Sequence, residues 1–169
     1  MKNYLKVCLL ALLTMSLFAA CKPDPDEKEE GKTPASGLSF TATCNGKTLV
    51  DGATITVSKK CVAYDDMEAD FLIKNTSTSK VDFSMKFEEA QPEDAILTIC
   101  GFGGCKAGNS IDNETLEPGK TYGGELDKID IAYIVGENVA KATMKVTMSD
   151  NTAGKDLVFT LVFDPTRDK

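Results

Sequence analysis

The sequence contains no histidine among its 169 residues. That absence excludes the usual serine and cysteine triads and any imidazole metal site. No apolar run is long enough to cross a bilayer: Val7 to Phe18 is roughly a dozen residues, against the ~20 that a transmembrane helix needs. Lysine and arginine form no cluster, and acidic residues outnumber basic ones by 26 to 19, which argues against nucleic acid and against electrostatic adhesion to anionic lipid. There is no repeat of solenoid period and no convincing amphipathic helix.

The N-terminus has the layout of an export signal. Lys2 and Lys6 precede the apolar run, and small Ala19 and Ala20 lead into Cys21, which gives a basic start, an apolar middle and a small-residue cut site over residues 1–20. Leu17-Phe18-Ala19-Ala20-Cys21 resembles the lipobox of bacterial lipoproteins. The resemblance implies cleavage before Cys21 and acylation of its thiol, so that several acyl chains hold the protein in a membrane. Each buried methylene contributes ~0.8 kcal/mol, and stable attachment needs more than one chain. A plain secretory signal with an incidental cysteine is the alternative.

Residues 21–36 hold five acids, three lysines and three prolines, with no large apolar residue. Such a composition cannot bury enough surface to fold and reads as an extended acidic tether, disordered and stiffened by proline. It resembles the acidic stretch behind the lipid cysteine in surface-exported lipoproteins of Bacteroidota, although here prolines separate the acids. That resemblance implies the outer membrane, with the body displayed on the cell surface; a periplasm-facing body is the alternative. Removing Lys2 and Lys6 takes 19 basic residues to 17 against 26 acids, a net of −9.

Residues 37–169 are of single-domain size, enough for one core. Apolar residues recur at every second position through Leu38–Cys44, Ala53–Val57, Ala69–Ile73, Val81–Phe87, Ala140–Met148 and Leu157–Phe163. This is the period of a strand with one face inward. Asn45-Gly46 is a hairpin signal, and the last two runs form a closing hairpin around "SDNTAGKD". "AILTIC" and "KIDIAYIV" read as fully buried strands. About seven or eight strands with Gly, Asn, Asp and Pro turns predict an all-β, immunoglobulin-like antiparallel β-sandwich, a closed barrel being the alternative.

Four cysteines remain beside Cys8 in the signal and Cys21. Four cysteines outside the cytoplasm suggest disulfides, with three possible connectivities. Cys100 and Cys105 bracket "GFGG", whose glycines permit a tight covalent loop. A local Cys100–Cys105 bridge is therefore favoured, with Cys44–Cys61 following by elimination. The four-residue spacing departs from the two-residue spacing of thioredoxin-like sites, and zinc would need four thiolates in an oxidising compartment.

Other chemistry is thinly supported. Carboxylates cluster in Asp65, Asp66, Glu68 and Asp70 and in Glu88, Glu89, Glu93 and Asp94, and a glycoside hydrolase needs only two acids at the right separation. Both clusters fall where turns between strands are expected, and acids there are usually solvated. No EF-hand spacing is present for calcium, and "GFGG" lacks the Lys-Ser/Thr ending of a P-loop. Met85, Met144 and Met148 offer thioethers to a haem, but their parity places them in the core. No catalytic residue, metal or cofactor is assigned. Phe102 at the cystine-loop tip and Tyr64, Tyr122 and Tyr133 near strand ends remain as candidate contacts for a glycan or an envelope protein.

The order "FLIKNTSTSKVDFSMKFEE", "TICGFGGCK", "LEPGKTYGGEL", "ATMKVTMSDNTAGKDLVFTLVFD", over roughly residues 65 to 164, resembles small Ig-like domains of Bacteroidota surface and secreted proteins. In those, a Gly-rich loop between two cysteines precedes a Pro-Gly turn and a final hairpin, and the loop tends to carry tryptophan where this chain has Phe102. The resemblance implies a domain without an assigned reaction. Two functions follow as expectations: a non-catalytic binding or adhesion module on a lipid anchor, or a structural, accessory lipoprotein of a larger outer-membrane assembly. A sandwich hosts both, so fold alone does not choose between them.

Overall fold

Alternation of apolar and polar residues carries the chain into strands from its first described residues. The computed structural model describes residues 37–57, 66–88, 96–106, 108–125, 127–134 and 140–166. Strand β1 (Phe40–Cys44) buries Phe40, Ala42 and Cys44, then turns through Asn45 (φ 48°) and Gly46 (φ 80°) into β2 (Lys47–Thr48). A two-residue hairpin loop needs both central residues left-handed, and Asn-Gly meets that need at least cost. β3 (Thr54–Val57), β4 (Asp66–Asn75) and β5 (Val81–Phe87) follow. Next come β6 (Ile96–Gly101), β7 (Gly104–Lys106), β8 (Ser110–Leu116) and β9 (Thr121–Tyr122). β10 (Ile129–Ile134), β11 (Ala142–Asp150) and β12 (Lys155–Phe163) complete the chain.

The strands form two sheets. One has the order β2-β1-β4-β10-β6-β7, with β9 extending the β10 side of β4; the other has the order β3-β12-β11-β5-β8. Within these, β1-β4-β10-β6 against β12-β11-β5 is the ABED and GFC arrangement of an immunoglobulin-type sandwich. The frame of the expected seven or eight strands is therefore present, and the described residues form twelve strands. β3 pairs in parallel with β12, so the N-terminal segment crosses from one sheet to the other between β2 and β3. The sheets are open and separate, which removes the closed barrel.

The core lies between the sheets and is filled by the inward parity of both. Phe71, Phe83, Phe159 and Phe163 are at most 1% exposed and bury the largest side chains; burying such a ring stabilises by about 1.5–3 kcal/mol. Phe71 from one sheet meets Phe159 from the other at 6.1 Å between ring centroids, and Phe40 meets Phe83 edge-on at 5.5 Å. Met85, Met144 and Met148 pack in the same core. The closing hairpin β11–β12 pairs nine residues on each side, from Ala142 opposite Phe163 to Asp150 opposite Lys155.

Two expectations change here. "AILTIC" is not fully buried: Ile96 is 60% exposed, because β6 lies beyond β10 near the sheet edge and only Ile99 and Gly101 face fully inward. The acids Asp66, Glu68 and Asp70 are not in a turn. They lie on the outward face of β4, which begins three residues before the Ala69–Ile73 run, with Met67 already buried.

Buried polar groups fasten the connections. Asn75, fully buried, donates to the carbonyls of Ser79 and Leu116, each at 2.8 Å, and its Oδ1 accepts from the Ser77 amide and hydroxyl, also at 2.8 Å. All the hydrogen-bonding capacity of that amide is thus used on the β4–β5 turn and the end of β8. Asp150, equally buried, accepts from the Ser39 and Ala153 amides at 2.8 Å. After β9 the chain passes the Phe71 carbonyl so closely that a Cβ on Gly123 (φ 93°) would stand 2.1 Å from its oxygen. Only glycine satisfies both that approach and that backbone angle.

Candidate functional site

The cystine loop is built as the spacing of its residues suggests. Cys100 and Cys105 are cross-strand partners of β6 and β7 and are joined by a disulfide. The turn between them runs through Phe102 (φ 49°) and Gly103 (φ 88°). Close packing holds the start of the loop: a Cβ on Gly101 would meet Ile111 Cδ1 at 2.9 Å.

Two of the aromatic candidates are internal and the third, Phe102, is half-buried. Phe102 folds back onto the core, with its ring 6.1 Å from Phe83 and 5.5 Å from Tyr122. Tyr122 is 7% exposed, and its hydroxyl accepts from the Glu117 amide at 2.7 Å and donates to the Thr115 carbonyl at 3.3 Å. That bond back to upstream backbone is the device of the tyrosine corner in immunoglobulin sandwiches. Tyr133 is 3% exposed, stacks at 5.8 Å on Phe163 and donates to the Ala140 carbonyl at 2.9 Å. Phe102, Tyr122 and Tyr133 therefore pack at the ends of the sandwich, with Tyr122 and Tyr133 buried and Phe102 half-buried. Burying the ring while bonding the hydroxyl satisfies both ends of a tyrosine. Tyr64 lies outside the described residues.

Cys44 is a buried free thiol, so the Cys44–Cys61 bridge expected by elimination is replaced by a reduced core cysteine; Cys61 itself lies outside the described residues. The inward parity that suggested pairing places Cys44 among apolar side chains, where a thiol packs as a small hydrophobe. Burial first, and then the Asp70 carboxylate, push this thiol up to about 12, with Lys47 pulling the other way. A thiol held protonated is inert. Cys21 and residues 1–20 also fall outside the described residues.

What sequence reasoning missed is a charged cluster on the outer face of the seven-stranded sheet. Asp70 and Asp130 are direct cross-strand partners on β4 and β10, and Glu68 sits one outward position along β4. Lys128 lies among them, hydrogen-bonded to Glu68 and with its ammonium 3.2 Å from Asp70 Oδ1 and 3.5 Å from Asp130 Oδ2. Partial burial works against the Lys128 charge, but the Glu68 hydrogen bond and the Asp70 and Asp130 carboxylates outweigh it and hold the ammonium above its ordinary range. The Asp130 side chain is only 6% exposed. Burial above all pushes its carboxyl up to about 6; Lys128 pulls it down, and Glu68 and Asp70 push it up again. The signal for the cluster was present in the alternation Asp66, Glu68, Asp70 against Met67, Ala69, Phe71. Nothing local marked Lys128 and Asp130, whose roles follow from the β4–β10 register.

Among the described residues no group of three His, Cys, Asp or Glu side chains is disposed to hold a metal ion; the three carboxylates surround an ammonium instead. Glu88 of the second acidic stretch pairs with Lys145 at 3.0 Å, and Asp65, Glu89, Glu93 and Asp94 lie outside the described residues. Asn45, at the β1–β2 turn, accepts from the Asp70 amide at 2.9 Å and fixes that end of β4.

All the large apolar side chains left exposed among the described residues lie on this same face: Leu72 (43%), Ile96 (60%) and Ile134 (38%). Ile96 and Ile134 are direct partners across β6 and β10, and Asp66 stands beside Ile134 on β4. No helix among the described residues is long and apolar enough to cross a membrane.

No protein-family model and no curated protein matches the chain. Solved structures that resemble it include the N-terminal domain of PorA, at 17% identity and a TM-score of 0.46, covering 73% of this chain and 95% of that one. A FixG-related protein from Vibrio parahaemolyticus aligns at 12% identity and a TM-score of 0.39, over 75% of this chain and 94% of that one. The CooA pilin subunit from enterotoxigenic Escherichia coli aligns at 8% identity and a TM-score of 0.33, over 75% and 98% respectively. Likenesses this distant assign no function.

Proposed function

We propose that this chain is an envelope lipoprotein, acylated at Cys21 and displayed on the outer membrane through the 21–36 tether, whose sandwich is a non-catalytic module that contacts a protein partner. The observation that carries the reading is the order of its parts: Leu17-Phe18-Ala19-Ala20-Cys21, an acidic proline-bearing stretch, then strands from Phe40 onward. That order, together with the cystine loop and closing hairpin, resembles Bacteroidota surface lipoproteins. The lack of histidine supports a non-catalytic role. A protein partner is preferred to a glycan because Tyr122 and Tyr133 are buried and Phe102 is packed against Phe83 and Tyr122, whereas one sheet face exposes isoleucine and the Asp70 carboxylate. The same face favours the accessory-subunit version of this reading, in which the module packs into a larger envelope assembly.

Labelled palmitate tests the anchor. Incorporation into the wild-type chain, its loss in Cys21→Ser and release of that variant from the membrane fraction are expected. Unlabelled wild-type protein, or a Cys21→Ser variant that stays membrane-bound, overturns the lipid anchor. Protease added to intact cells removes the body if it faces outward and spares it if it faces the periplasm.

A further inference from the structure

We infer that the outer face of the seven-stranded sheet docks a cationic segment of another protein, setting aliphatic side chains on Ile96 and Ile134 and lysine or arginine along Asp66, Glu68 and Asp70. The inference rests on the reading of the chain as a non-catalytic docking module and names the chemistry of its partner.

Register defines the surface. Successive outward rows read Asp66–Ile134–Ile96, Glu68–Ala132–Thr98 and Asp70–Asp130–Cys100 across β4, β10 and β6. Outward residues two apart on a strand are about 6.6 Å from each other, so the three β4 carboxylates form a line along one side of the isoleucine pair. Ala132 and Thr98 are small, which leaves the middle row lower than its neighbours. The outward residues of the closing hairpin differ in kind: Thr143, Lys145, Thr147 and Thr160 leave no large exposed apolar group there.

Charge selects the occupant. Like charges directly opposite each other weaken a sheet, yet Asp70 faces Asp130. Lys128 forms ion pairs with Glu68, Asp70 and Asp130, one ammonium against three carboxylates, so this cluster keeps a net negative charge. Its own tether is unsuited, with five acids against three lysines. A second copy would set the same carboxylates against themselves, and nucleic acid or anionic lipid would be repelled. A protein segment carrying lysine or arginine beside aliphatic side chains meets both demands: steering charges and an apolar centre.

The test uses the full mature chain in uncharged detergent micelles, with protein-free micelles as blank. The probes are synthetic ten-residue peptides alternating Lys with Ile, Lys with Ser and Glu with Ile. The Lys–Ile peptide is expected to shift the amide resonances of Thr98, Ala132 and Ile134, to bind about tenfold more weakly to Ile134→Ser and to lose affinity with added salt. Glu68→Gln should weaken it severalfold, while Lys145→Ala on the other sheet should leave it unchanged. Equal affinity for the Lys–Ser peptide, indifference to both Ile134→Ser and Glu68→Gln, or shifts centred on another acidic region such as β8 would overturn the proposal. Self-association of the chain that is abolished by Ile134→Ser would assign the face to a second copy and overturn it as well. Failure of these peptides with palmitate labelling intact removes the docking face alone; loss of palmitate labelling with peptide binding intact removes only the anchor.

Discussion

The two sheets solve the same packing problem by different means. The five-stranded sheet rests on the nine-residue pairing of β11 with β12, with apolar residues at every inward position from Ala142 to Met148 and from Leu157 to Phe163. The seven-stranded sheet is pieced together from strands as short as two and three residues, a disulfide, a glycine pressed on a carbonyl and a cluster of like charges around one lysine. Regular pairing needs fewer local devices, such as the buried Asp150 at the end of β11. Short, irregular pairing needs several, and the side chains exposed by that irregularity are the ones available to a partner.

The largest effect should come from the regular sheet. Phe159 is 1% exposed and meets Phe71 across the core, so Phe159→Ala removes a fully buried ring from a contact that joins the two sheets. Urea unfolding should show a loss of about 3–5 kcal/mol with an unchanged m-value. A loss below about 1 kcal/mol, the scale of an ordinary surface change, would mean that the closing hairpin is not the centre of the core.

The irregular sheet should betray itself through pH. The Asp130 carboxyl stands at about 6 in the folded protein against an ordinary 3.8, so between those values the folded state holds a proton that the unfolded chain releases. Its contribution to stability is complete below about pH 4 and is lost as pH rises through about 6. Asp130→Asn keeps the uncharged form at every pH. Its stability relative to wild type should therefore climb across that window, by on the order of 2–3 kcal/mol. A difference that stays flat from pH 4 to 7 would show that burial does not penalise this charge.

How far the sequence foretold each sheet follows from the same contrast. Val81–Phe87, Met144–Met148 and Leu157–Phe163 were legible because the recurrence of an apolar residue at every second position is a local property, and it runs through all three. Asn45-Gly46 was legible for an equally local reason. Lys128 beside Glu68, the exposure of Ile96 and the twelve-strand total depend on register and on which strand ends at a sheet edge, and neither is written in a window of ten residues. The direction of the Phe102 ring was not legible because its glycine-rich surroundings mark only a turn, while its packing depends on Phe83 and Tyr122, distant in the chain. Cys44 was misjudged because counting cysteines treats a core thiol and a bridge partner alike.

The disulfide should matter less than the Phe159 ring, and only locally. The bridge closes a loop of six residues, for which loop-closure entropy gives about 2 kcal/mol. Replacing both Cys100 and Cys105 by serine should lower stability by about that amount. Amide exchange should accelerate in β6, β7 and β9 and leave β11 and β12 untouched until global unfolding. Equal acceleration in both sheets would mean that the two are one cooperative unit and that the contrast drawn between them is only geometric.

The smallest effect separates the ring of Phe102 from its backbone. A non-glycine residue at φ 49° is strained, and the strain persists because the ring is held against Tyr122 at 5.5 Å. Phe102→Ala loses the ring and keeps the strain; Phe102→Gly loses the ring and relieves it, at the cost of a more flexible unfolded chain. The glycine variant should therefore be the more stable of the two by about 0.5–1 kcal/mol. If alanine proves equal or better, the turn is not held left-handed by packing and the bridge, and the loop would be free to present Phe102 outward, restoring it as a contact residue and weakening the case for the opposite sheet face.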